Sequence, residues 1–173
     1  MKQTLSFISE DNYALHREYL ETLKLKYSVF SKSYPKIPCG TLSQLKRAAI
    51  GRDEREEGLL LLGEIVAHEK YFASFCERTK PNSKIRQEHG SEASFVYDIF
   101  TLTNKSRSDW MLICITKSTP RIVFTDFPYK VLLKEDVRLA VDLCEHAYFN
   151  DYKFRREEYI KRALASLDLS KLG

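Results

Sequence analysis

Histidine is scarce in this chain of 173 residues: four in all, His16, His68, His89 and His146. None has a glutamate three residues before it, so the paired Glu-x-x-His signature of di-iron bundles is missing, and HExxH is absent too. There is no P-loop, no GxGxxG and no GxSxG elbow. Glycine and proline are few, six and five, which excludes collagen-like and low-complexity classes. The four cysteines, Cys39, Cys76, Cys114 and Cys144, have no CxxC spacing and read as reduced thiols, neither a zinc cage nor a disulfide framework. Long apolar runs are lacking: Leu59–Leu62 is cut by Gly63 and Glu64, and no stretch nears the ~20 residues of a membrane helix. Met1-Lys2-Gln3-Thr4 has no apolar core behind its charge. The expectation is a cytoplasmic protein without a signal peptide or membrane contact. Excess charge is also missing, since 28 basic against 24 acidic side chains leave only +4, which argues against a nucleic-acid partner.

What is present is a core-forming composition, 43% hydrophobic, enough for one core or two small coupled ones. Ser9 reads as an N-cap, with apolar residues following at Tyr13, Leu20, Leu23, Tyr27 and Phe30. Ser31 to Gly40 breaks the pattern. A short helix is predicted over Leu42 to Ile50 and a longer one over Asp53 to Arg78, with Ile65, His68, Phe72, Phe75 and Cys76 on one stripe. Thr79 to Ser83 reads as a linker, and Phe95 to Leu102 as helical. Strands are predicted at Trp110–Thr116, Arg121–Phe127 and Val137–Val141, with Thr119-Pro120 as the turn between the first two. One helix then runs from Glu145 to about Leu167. The fold class is α+β: a helical N-terminal domain, residues 1–80, then an α/β domain, 84–173, with a three-stranded antiparallel sheet.

Asp142 and His146 stand at spacing four, where a carboxylate and an imidazole can face one ion, a pairing suited to iron or manganese. The same residues also read as a helix start, with Asp142 and Glu145 as a capping box. The surrounding segment bears on that choice. Ala140 to Phe149, then Asp151-Tyr152-Lys153 and Arg155-Arg156-x-x-Tyr159, resembles the C-terminal signature of iron/manganese superoxide dismutases, D-x-W-E-H-A-Y-Y followed by a D-Y-x-x-R-R-x-x-Y-like helix. Cys144 stands where that family has Trp. Val66 to Phe72 resembles its V-W-N-H-x-F-Y-W helix, with His68 at the ligand position, and His89-Gly90-Ser91 with Phe95 resembles F-G-S-x-x-x-F. Trp110 with Leu112 resembles G-W-x-W-L, and His16-Arg17-Glu18-Tyr19-Leu20 resembles H-x-x-Y-V.

The resemblance implies one iron or manganese ion per chain, superoxide as substrate and a homodimer. It places metal ligands at His68, Asp142 and His146. Counting back from Tyr19 without a gap puts the fourth ligand at Asp11. Asp11, Leu15 and Tyr19 share one helix face, whereas His16, five residues from Asp11, is expected to turn away from it. Asp11 reads equally well as a helix-start acid favoured by the dipole. Tyr19 would line the substrate channel and Trp110 wall the cavity, while Glu64, one turn before His68, would stand where some iron-type members have Gln, or else be an ordinary exposed glutamate. Glu145 and Phe149 would lie at the dimer interface, with Leu15 and Phe149 replacing a His and a Tyr that meet there. The alternative is the same fold without turnover, a binding or scaffold protein, motivated by the missing fourth His.

Overall fold

The structure, a computed structural model, describes residues 5–34, 40–76 and 81–173. Its first part is helical: α1 (Glu10–Ser33), α2 (Leu42–Lys46) and α3 (Arg52–Ala73). After α4 (Ser83–His89) and α5 (Glu92–Lys105) come β1 (Trp110–Thr116), β2 (Thr119–Thr125), α6 (Pro128–Leu132) and β3 (Asp136–Asp142), then α7 (Glu145–Tyr152), α8 (Arg156–Ala165) and a closing 3₁₀ turn, Leu169–Leu172. The sheet is antiparallel throughout, in the order β2-β1-β3. No helix of the described residues is long and apolar enough to cross a membrane.

The α1 start follows from local chemistry. Ser9 Oγ accepts from the Asn12 N–H, and Glu10 and Asp11 complement the dipole in the first turn. Asp151 of α7 in turn receives both the Ser9 N–H, at 2.8 Å, and the Ser9 hydroxyl, at 2.6 Å. From that start the inward face of α1 is Asn12, His16, Leu20 and Leu23. α3 lies against both α1 and β3. The Ser74 hydroxyl accepts the Ala140 N–H of β3 at 2.8 Å while donating to the Lys70 carbonyl at 2.7 Å. At Gly63 a Cβ would stand 2.6 Å from Tyr129 Cβ, so only glycine lets α3 come this close to α6. The main core is continuous across the molecule, joining Leu20, Ile65 and Phe72 to Leu112, Leu139, Ile160 and Leu164.

Several boundaries differ from the sequence reading. The β1–β2 turn is Lys117-Ser118, both at positive φ (49° and 67°), and Thr119-Pro120 already belongs to β2. Proline is tolerated there because β2 is an edge strand. The last helix is two, broken at Lys153 (φ 51°). α2 stops at Lys46 and α3 at Ala73. The expected linker falls partly on α4, which begins at Ser83, and Thr79 and Lys80 lie outside the described residues, as does Cys39. α6 has no counterpart among the sequence-predicted elements.

Candidate metal centre

Four side chains from four elements close on one point: His16 of α1, His68 of α3, Asp142 at the end of β3 and His146 in the first turn of α7. Their potential ligand atoms all lie within 4.8 Å of one another. Asp142 Oδ2 is the hub, with the Nε2 atoms of His146, His16 and His68 at 2.9, 3.1 and 3.3 Å. His68 Nε2 and His146 Nε2 are 3.4 Å apart. Ligands about 2.1 Å from a common ion and about 90–120° apart would be separated by about 3.0–3.6 Å, close to the three distances about Asp142 Oδ2 and the His68–His146 distance.

Each donor is aimed by a neighbour. The other Asp142 oxygen, Oδ1, accepts the Cys144 N–H at 2.9 Å, leaving Oδ2 to face the histidines. The expected Asp142–Glu145 capping box is absent because the N-cap of α7 is Cys144. The Asp142 carbonyl accepts the Tyr159 hydroxyl at 2.7 Å, and Tyr71 packs its ring on His16 at 4.7 Å. His68 Nδ1 lies 2.7 Å from the Glu64 carbonyl. A carbonyl only accepts, so Nδ1 carries a proton, which turns the Nε2 edge of the ring toward the Asp142 carboxylate.

Burial opposes ionisation of Asp142, but hydrogen bonds from His146, His16 and His68 outweigh it and hold the carboxyl well below its usual range. Burial lowers His16, against the pull of Asp142, and favours its neutral form. His146, whose side chain is 33% exposed, is also opposed by burial, yet its bond to Asp142 raises its pKa, so a proton competes for this position.

Asp11 is not brought to this group. It is exposed in the first turn of α1, on the stripe that continues through Leu15 (51% exposed) and Tyr19 (39%). Five residues turn a helix by about 140°, so Asp11 and His16 cannot share a face. The angular expectation holds, but the inward face is that of His16, and the expectation that His16 turns away is overturned. The signal available in the sequence was the polar pair Asn12 and His16 in register with Leu20 and Leu23.

Tyr19 still reaches the site, with its ring 4.4 Å from that of His146 and 5.3 Å from that of His68. Burial raises its hydroxyl pKa. Trp110 is buried edge-on to His68 at 4.9 Å. The Glu64 carboxylate lies 3.8 Å from His68 Nδ1, and burial pushes it up to about 7 against the pull of His68 and a hydrogen bond with Trp110. Glu145 is exposed at the start of α7, and Phe149 is 36% exposed with the Phe154 ring edge-on to it.

Three imidazoles and a carboxylate converging beside an antiparallel sheet define an α+β protein with a candidate mononuclear metal site. The family model for the iron/manganese superoxide dismutases, C-terminal domain, matches residues 77–172, more than half of the chain. The chain belongs to that family. A search of the curated proteins finds no match.

Proposed function

We propose that this protein disproportionates superoxide to dioxygen and hydrogen peroxide at a single iron or manganese ion held by His16, His68, Asp142 and His146. The observation that carries the reading is the convergence of three imidazole Nε2 atoms on Asp142 Oδ2, with His68 oriented Nε2 inward by the Glu64 carbonyl. Three neutral nitrogens and one carboxylate suit either metal. A bound ion would supply the alternating one-electron oxidation and reduction of superoxide.

The chain's own residues supply the rest. Asp142 stays ionised and offsets cationic charge. Tyr19, half over the His146 and His68 rings and half exposed, lines the way in for a small anion and keeps its Oη proton at neutral pH. Trp110 closes the inner wall. Glu64, ionising near pH 7, can hold a proton on its carboxylate beside the site, where peroxide formation consumes two. His16 provides the fourth donor, so the missing ligand no longer argues for a fold without turnover. The division proposed from the sequence, 1–80 and 84–173, puts two ligands on each side. Glu145 and Phe149, exposed beside His146, are proposed to meet a second copy in a homodimer.

The test combines elemental analysis with superoxide removal per bound metal on one preparation. The expected result is about one iron or manganese per chain, with turnover lost in His68→Ala. A protein that takes up neither metal after supplemented expression overturns the reading.

A further inference from the structure

Two sealed polar atoms beside the site have no hydrogen-bond partner, Asn12 Oδ1 and His16 Nδ1. The residues are 0% and 1% exposed. They stand one turn apart on the inward face of α1, where side chains at i and i+4 are neighbours. Atoms of this kind, cut off from solvent, normally find a partner.

Their chemistry is complementary. Asn12 Nδ2 donates to the Ala147 carbonyl at 2.9 Å, which fixes the amide: the flipped form would set oxygen against oxygen. Oδ1 is therefore an acceptor in want of a donor. His16 turns Nε2 to Asp142, at 3.1 Å. With that lone pair on a cation, Nδ1 carries the ring proton and wants an acceptor. Without a cation the proton sits on Nε2, facing the carboxylate, and Nδ1 becomes an acceptor like Oδ1. No direct bond joins the two atoms, and a direct bond would serve only the first state. One water serves both, since it can accept from Nδ1–H and donate to Oδ1, or donate to each.

We propose that Asn12 is a positioning residue for His16, acting through one buried water that bridges Asn12 Oδ1 and His16 Nδ1. The role rests on the metal-site reading above. It is reinforced by where Asn12 is anchored. Its backbone N–H goes to Ser9 Oγ, at 3.1 Å, and Ser9 is clasped by Asp151 of α7. Its amide holds the carbonyl of Ala147, the residue after His146. Asn12 thus sets the ring angle of one ligand while fixing its helix against the helix that carries another. Partners of this kind typically change metal affinity by about 10–100-fold.

The experiment is release of manganese(II) from the loaded full-length protein into excess chelator. Asn12→Leu should release it about 10–100-fold faster than wild type. Asn12→Asp, which keeps an acceptor for the His16 side but sets an oxygen against the Ala147 carbonyl, should release it more slowly than Asn12→Leu, a rescue that a purely structural role would not show. Equal release from wild type and Asn12→Leu overturns the proposal. A second measurement needs neither metal nor the apolar variant: ¹⁵N imidazole spectra of the metal-free wild type and Asn12→Asp. The anionic acceptor should draw the His16 proton onto Nδ1, while His68, held by the Glu64 carbonyl, stays unchanged. An unaltered His16 pattern also overturns the proposal. A wild type that holds neither manganese nor iron defeats the functional reading instead, and the spectra then decide the role of Asn12 alone.

Discussion

Asp11 and His16 are five residues apart, and only one of them can look inward. His16→Ala should cut bound metal at least about tenfold, whereas Asp11→Ala should leave it unchanged, as elemental analysis after dialysis would show. The competition at His146 is a second matter. Its pKa is raised by Asp142, so occupying Nε2 with an ion must displace a proton as pH falls toward and below that raised value. Metal affinity should therefore fall with decreasing pH, and titration in weakly buffered solution should record proton release. Glu64 acts in the opposite sense on the metal-free fold. Its pKa is raised from 4.5 to about 7, so it costs no stability below the unfolded value. The penalty grows between the two values and is complete above about 7. Glu64→Gln should stabilise the metal-free protein by about 1–2 kcal/mol at pH 8 and by almost nothing at pH 4, measured by denaturant unfolding.

At the scale of elements, the sequence was most legible where one periodicity ruled. β1 was placed residue for residue, because an unbroken apolar run suits a central strand buried on both faces. Ser9 was legible as a cap because its hydroxyl acts on the nearest turn. Legibility failed where a long-range contact decided. Pro120 looked like a turn residue, but an edge strand tolerates it. His16 looked misplaced because the ligand position was counted back from Tyr19, although Leu20 and Leu23 already mark the face of α1 that packs against α3 and α7. The break between α7 and α8 carries no glycine. Lys153 instead sits at φ 51°, ψ −121°, a conformation that favours glycine. Lys153→Gly should relieve strain and stabilise the fold by about 0.5–1 kcal/mol despite losing the ammonium held over Phe149. Ser74→Ala is the converse. It strands the buried Ala140 N–H of β3 and should cost about 1–3 kcal/mol.

Across the whole molecule, the site is built from both ends of the chain, since His16 and Asp142 touch across 126 residues. That separation has a kinetic meaning. Closing so long a loop is entropically costly and belongs late in folding, after local helices and the β1–β2 hairpin. An ion binding there acts as a cross-link made once the chain is already native, absent from the folding transition state. Manganese should therefore slow unfolding markedly and leave the refolding rate nearly unchanged in stopped-flow experiments. On the time axis, then, such an ion would be a latch on a closed door: it would set how long each molecule survives and not how fast each one forms.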